Sequence, residues 1–245
     1  MTIDATAVAG LAMLTAIATG LGALPFLFVR AVGDRRLGAA NSLAAGLMLA
    51  ASAVLLWEGA AASIALCAGG ALAGALAVWA SQVALGHDEE VSVGSLRGAD
   101  ARKAILVMGV MTAHSFAEGV GVGVAYGGGD ELGLFVTAAI ALHNVPEGLA
   151  IALVLVPRGV SVWAAAGWAV VSSLPQPIVA VPAFLAVATF ADLLPFGLGF
   201  AAGAMVLMAA LELLPEALEQ TSAARVTAWT LAAVAGGIGA QLLLA

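Results

Sequence analysis

Charged residues are scarce in this chain. They make up 9% of its 245 residues, whereas 63% are hydrophobic and the mean hydropathy is +1.11. A soluble domain must cover its exterior with polar side chains, and this composition cannot supply them. The scarcity therefore excludes a soluble globular protein and predicts an integral membrane protein. With only eight lysines and arginines in all, we expect no nucleic-acid partner.

Cysteine is rarer still, with one residue in the whole chain. The one cysteine, Cys67, lies inside a long apolar run, so an intrachain disulfide is excluded and the thiol is expected to pack against its neighbours. The start of the chain lacks the basic flank of a secretory signal, and its apolar run is too long for a signal core. We therefore expect the first apolar segment to be retained as a membrane span.

Apolar runs of the length that crosses a bilayer account for almost the whole chain. We predict an all-α integral membrane protein, residues 1–245 forming a single polytopic domain of eight transmembrane helices. The predicted spans are approximately 6–29, 38–57, 61–85, 104–126, 132–156, 159–187, 193–215 and 222–245. The longest connector, 86–103, carries His87 and is expected to be a solvated loop on the cytoplasmic side.

The basic residues predict the orientation of these spans. Every one falls in connector one, three, five or seven, which all lie on the same side of the membrane: Arg30, Arg35, Arg36, Arg97, Arg102, Lys103, Arg158 and Arg225. Because basic connectors stay in the cytoplasm, both termini are predicted to lie outside, in the cell (inner or plasma) membrane.

A faint internal repeat divides the spans. The segment AAGLM at 44–48 resembles AAGAM at 201–205, and at the same offset of 157 positions an Ala-x-Pro at 23–25 aligns with another at 180–182. Spans one and two would then correspond to spans six and seven. Corresponding spans run in opposite directions, so the pattern predicts an inverted repeat in a 3+2+3 arrangement, as in many transporters.

The two spans left between the repeats carry the polar motifs. Span four contains HSFAEG at 114–119 and span five contains HNVPEG at 143–148. Histidine and glutamate are costly in hydrocarbon and mark functional sites there. A spacing of four places each histidine and its glutamate on one helix face. At 1.5 Å per residue, His114 lies about 16 Å from the cytoplasmic end of its span, so both faces can meet near the midplane.

Imidazole and carboxylate together suit zinc, iron(II), manganese and similar divalent ions. The predicted ligands are His114, Glu118, His143 and Glu147, with Ser115 and Asn144 beside the histidines as further oxygen donors. In span six, SSLPQP at 172–177 predicts a broken helix that lines a polar cavity. Glu58, Glu212 and Glu216 lie toward span ends, where a carboxylate is expected simply to reach water.

Two other chemistries fit the motifs less well. An intramembrane metal-dependent hydrolase would need a metal-bound water and a base, but no HExxH pairing and no third histidine within a span are present. A bis-histidine haem would have to accommodate glutamates one turn from its face. The predicted protein is therefore not an enzyme.

The two motifs resemble those of the ZIP (Zrt/Irt-like) family of divalent metal transporters. HNVPEG at 143–148 matches the family's fifth-span pattern closely. HSFAEG at 114–119 matches the fourth-span pattern less fully, with serine and alanine where asparagine and proline are common. Short loops and the fifth-span motif are most similar to the prokaryotic-type branch.

This resemblance implies uptake of a divalent metal, zinc above all but also Fe²⁺, Mn²⁺ or Cd²⁺, by alternating access, with no other cofactor. It implies a first ion on the four ligands named above, and a second ion shared by Ser115, Glu118, Asn144 and Glu147. Gln176 stands nearest to a position where the family often has a glutamate, so we expect one dominant ion. The resemblance also implies that spans one, four, five and six move against the others, and that homodimers form.

Overall fold

The computed structural model of the chain describes residues 3–29, 33–85 and 99–244. Across these residues the protein is helical and contains no strand. The helices are α1 (Ala5–Leu21), α2 (Asp34–Ala62), α3 (Ile64–Leu85), α4 (Ala99–Gly128), α5 (Asp130–Leu155), α6 (Val162–Ser173), α7 (Pro175–Thr189), α8 (Leu194–Met208), α9 (Leu214–Gln220) and α10 (Ala223–Leu244).

The predicted spans coincide with these helices to within a few residues at most ends. Seven of the described segments are long and apolar enough to cross a membrane, and α4, with 30 residues, is a further long helix. The chain is thus a multi-pass, all-helical membrane protein. The predicted connector 86–103 extends too far, because α4 already begins at Ala99 and residues 99–103 are helical. Its histidine, His87, lies outside the described residues.

The sixth predicted span is two helices rather than one. α6 ends at Ser173, Leu174 forms a turn, and α7 begins with Pro175. Proline has no backbone N–H and is tolerated in the first turn of a helix, so a new helix can start there. Ser172, Ser173 and Gln176 around the break are buried, as the prediction of a polar interruption at membrane depth requires.

A local widening interrupts the seventh predicted span. Between α8 and α9 the backbone forms a π-helical turn, Ala209–Leu213, without breaking the helix direction. Such turns insert one extra residue into a helical stretch and are often found at functional sites. Here the turn rotates the side chain of Glu212 relative to an uninterrupted α-helix.

The helices form two sets that pack against one another. α1, α4, α5, α6 and α7 contact each other, and α2, α3, α8, α9 and α10 form the second set. The sets meet where α2 packs on α5 and where α4 packs on α8. The core at this junction is made of small and flexible side chains, with Met48, Met205 and Met208 almost fully buried.

Large apolar side chains cover the outside of the molecule. Phe28, Ile64, Leu72, Leu142 and Leu243 are each more than 60% exposed. Such a surface is unfavourable in water and matches a lipid environment.

Candidate metal centre

Four ligand-type side chains converge where α4 and α5 cross. His114 and Glu118 lie one turn apart on α4, and His143 and Glu147 lie one turn apart on α5. One ligand atom from each can be chosen so that all four lie within 4.8 Å of one another. The tight turn at Gly129, whose φ of 139° suits only glycine, joins the two helices into a hairpin.

Three of these ligand atoms already lie nearly as close together as ligands around one ion. The Nε2 atoms of His114 and His143 are 3.4 Å apart. Glu118 Oε1 lies 3.3 Å from the first of these nitrogens and 2.9 Å from the second. Ligands held about 2.0–2.1 Å from a tetrahedral zinc are separated by roughly 3.3–3.4 Å. The triangle of two nitrogens and one oxygen is therefore close to one face of a tetrahedron.

Glu147 completes the group from the next turn of α5. Its Oε2 lies 4.0 Å from His143 Nε2, and neither of its carboxylate oxygens accepts a hydrogen bond. Glu118 Oε1 has the two imidazole nitrogens as polar neighbours within 3.3 Å. All four side chains are at most 4% exposed. Buried acceptors without donors are costly, and a divalent cation between them would satisfy and neutralise them together.

Helix α5 continues through Pro146 without a break. Proline cannot donate to the carbonyl one turn earlier, and a proline inside a helix can kink it. The helix retains His143 and Glu147 on the same face, so the proline does not separate the two ligands.

The further residues that the sequence predicted as metal ligands, Ser115, Asn144 and Gln176, lie beside the other four. Each of them makes a hydrogen bond to a neighbouring residue. Ser115 is buried and its hydroxyl donates to Ser173 Oγ at 3.5 Å. Asn144 donates from Nδ2 to the Thr15 carbonyl at 2.8 Å, while its Oδ1 has no donor. Gln176 donates from Nε2 to Glu118 Oε2 at 2.6 Å. Ser115 thus faces α6, Asn144 joins α5 to Thr15 on α1, and Gln176 joins α7 to Glu118 on α4.

Glu212 is a neighbour of the site that the sequence interpretation assigned to bulk water, and for this residue that expectation is wrong. Its Oε2 lies 3.8 Å from His114 Nδ1, and its side chain is only 18% exposed. Glu212 lies within the π-helical turn between α8 and α9, and thus belongs to the other helix set. Glu58 and Glu216 are exposed, as expected, although Glu216 also accepts a hydrogen bond from Asn41 Nδ2 at 3.3 Å.

Sequence comparison agrees with this geometry. A family model described as "ZIP Zinc transporter" matches residues 80–245. A protein of Arabidopsis thaliana that is named as a candidate zinc transporter is 50% identical over 78 residues, which are 32% of this chain and 13% of that protein. The chain thus aligns with only a small part of that relative's length. Because the family model covers both motifs and most of the chain, the chain belongs to the ZIP zinc transporter family.

Proposed function

We propose that this protein takes up a divalent metal ion, zinc foremost, into the cytoplasm through His114, Glu118, His143 and Glu147. The observation that carries the proposal is the convergence of two imidazole nitrogens and two carboxylates within 4.8 Å in a buried place. Nitrogen and oxygen ligands of this kind bind Zn²⁺ and accept Fe²⁺, Mn²⁺ or Cd²⁺. The family described as zinc transporters supports zinc as the principal cargo.

Burial favours transport over hydrolysis. A hydrolase must admit water and a substrate to an open coordination position on the metal. The four side chains here are enclosed by helices, with exposed fractions between 0% and 4%. A transporter that works by alternating access passes through such an enclosed state between its outward-open and inward-open states. The binding site must never be open to both sides of the membrane at once.

The same geometry disfavours a haem. A bis-histidine haem places its ring between the two imidazole nitrogens. Glu118 Oε1 lies within 3.3 Å of both nitrogens, so a haem plane at that position would overlap the carboxylate.

We propose eight spans with both termini outside in the cell membrane. The one-sided basic residues support this orientation. Tryptophans near the ends of two spans support the span ends rather than the orientation, since Trp57 on α2 is 77% exposed and Trp163 on α6 is 68% exposed. Exposed tryptophans at opposite faces are typical of the two headgroup regions of a bilayer.

Matching glycine contacts support the inverted repeat around the site. The glycines that close the two motifs are Gly119 on α4 and Gly148 on α5. A Cβ added to Gly119 would overlap Gln176, and one added to Gly148 would overlap the backbone of Thr19. Thr19 and Gln176 are separated by 157 positions, the same offset as the sequence repeat.

The second helix set shows the same correspondence. Gly46 on α2 packs against Thr230 on α10, and Gly203 on α8 packs against Ala71 on α3. Gly46 and Gly203 are again 157 positions apart. Span two thus contacts span eight in the way that span seven contacts span three, which is what an inverted 3+2+3 arrangement requires.

Alternating access would follow from movement of one helix set against the other. The proposed moving set is α1 and α4–α7, which carries all four ligands, and the set with α2, α3 and α8–α10 would stay fixed. Where α4 meets α8, Gly121 lies opposite Ala201, and small side chains offer little resistance to sliding. A homodimer is also part of the proposal.

Transport in proteoliposomes tests this function. We expect His143→Ala and Glu147→Ala to reduce zinc uptake to the background of empty liposomes while both variants still insert into the membrane. Glu58→Gln is the matched control, because Glu58 is an exposed carboxylate on α2, and it should transport like the parent protein. Undiminished uptake by either site variant would refute the assignment.

A further inference from the structure

The Gln176 amide occupies a central position at the metal centre. The side chain is fully buried at the start of α7, directly after the break between α6 and α7. Its Nε2 donates to Glu118 Oε2 at 2.6 Å, the carboxylate oxygen that does not face the histidines. One oxygen of Glu118 therefore belongs to the ligand group, and the other is already engaged by a neutral donor.

The orientation of this amide follows from its neighbours. The Thr15 backbone carbonyl can only accept, so the Asn144 group 2.8 Å away must be the NH₂. The same NH₂ lies 3.2 Å from Gln176 Oε1, which must then be the acceptor. Exchanging the nitrogen and oxygen of Gln176 would bring two NH₂ groups together and set an oxygen against Glu118.

Thr15 reinforces this orientation from α1. Its hydroxyl is 2.5 Å from Gln176 Oε1 and 2.7 Å from the Ala12 carbonyl. A hydroxyl has one proton, so it donates to one of these oxygens at a time. Thr15 is completely buried, and water cannot take its place. The amide oxygen is therefore held by Asn144 Nδ2 and, when its proton points toward Gln176, by the Thr15 hydroxyl, and the N–H group is aimed at Glu118.

The charges at the site set the number of ions that it can hold. Within the ligand group, Glu118 and Glu147 carry two negative charges when ionised, which one divalent cation neutralises. The carboxylate of Glu212 is close by but lies 3.8 Å from Nδ1 of His114, the ring nitrogen that is not part of the ligand group. A second cation on Glu118 Oε2 would have to displace the Gln176 N–H and would leave two uncompensated positive charges in the membrane interior. Such charges are very costly there, and a neutral amide does not offset them.

We propose that the Gln176 amide takes the place of a second cation on Glu118, so that the site binds a single ion, and that Thr15 is a positioning residue for this amide. This inference rests on the proposed function and specifies its stoichiometry. The amide stabilises Glu118 both with and without cargo, and holds its other oxygen toward the two histidines.

Counting bound zinc tests the stoichiometry. Purified protein in lipid nanodiscs is equilibrated with Zn²⁺, freed of excess metal, and analysed for zinc per chain by mass spectrometry. We expect one ion in the parent protein and two in Gln176→Glu, which restores a third carboxylate. Two ions in the parent protein, or one in a folded Gln176→Glu variant, would overturn the inference and leave the transport function standing. No bound zinc in the parent protein would overturn both.

Uptake kinetics test the role of Thr15 independently of the Gln176 variant. Thr15→Val keeps the shape and removes the hydroxyl, and we expect KM for zinc to rise about three- to tenfold with kcat changed less than twofold. Thr15→Ser should restore KM. Thr230→Val is the matched control, because Thr230 donates to a distant carbonyl, that of Ser42. An unchanged KM in Thr15→Val, or no rescue by serine, contradicts a positioning role.

Discussion

Glu212 Oε2 lies 3.8 Å from His114 Nδ1, although the two residues belong to different helix sets. A histidine that binds a metal through one nitrogen is usually oriented by an acceptor near the other nitrogen. Glu212 can provide this orientation only while the two sets are in their present relative position. The ligand group is thus coupled to the arrangement of the helices around it.

We expect Glu212→Gln to weaken zinc affinity about tenfold, at the low end of the range for removing an orienting partner, since the separation is long. Equilibrium binding of radioactive zinc in nanodiscs measures this. Glu216→Gln, one turn further along α9, is the control and should bind like the parent protein. Equal affinities for Glu212→Gln and the parent protein would show that the contact has no influence on His114.

Zinc should stabilise the folded protein, because a ligand that binds only the native state raises its stability. At a concentration 100 times Kd, the gain is about 2.7 kcal/mol. We expect a higher midpoint of thermal unfolding with zinc for the parent protein and no zinc-dependent shift for His143→Ala. A shift of equal size in the variant would place the stabilising ion elsewhere.

Gly148→Ala should destabilise the packing of α1 on α5. A Cβ at this position would overlap the backbone of Thr19, and overpacking of this kind costs about 1–3 kcal/mol. Gly167→Ala on α6 is the control, since no atom lies within 4 Å of its added Cβ. The thermal midpoint of both variants in the same detergent measures the difference. A Gly148→Ala protein as stable as Gly167→Ala would contradict the close approach.

Cysteine labelling checks the orientation. In a Cys67→Ala background, a membrane-impermeant maleimide applied to intact cells should label Glu131→Cys at the start of α5 and should not label Ser222→Cys before α10. Both cysteine variants should react once the membrane is permeabilised with detergent. The reverse pattern would place the termini in the cytoplasm.

The sequence predicted most of the helices because each apolar run is long and bounded by polar or glycine residues. It also predicted that His114, Glu118, His143 and Glu147 would share one location, since a spacing of four on two neighbouring spans leaves few other arrangements. These features depend on local periodicity, which is visible in a single chain. The sequence predicted that span four begins at 104, whereas α4 begins at Ala99. This start was missed because the charged residues within 100–103 resemble a connector.

The contributions of Glu212 and Thr15 could not be predicted in the same way. The position of Glu212 depends on a π-helical turn, which has no sequence signature of its own. Thr15 lies 161 positions from Gln176, and a threonine in an apolar span usually bonds to its own helix. Both residues act through contacts between distant helices, and such contacts are set by packing.

The turn at Gly129 has a consequence for biogenesis. All four proposed metal ligands come from the two helices on either side of it, so they are brought together by closing one short loop, which is entropically inexpensive. The ligand constellation can therefore assemble as soon as this hairpin has entered the bilayer, while the ribosome is still making the last third of the chain. Only the hydrogen bond from Gln176 on α7 to Glu118 must wait for later synthesis.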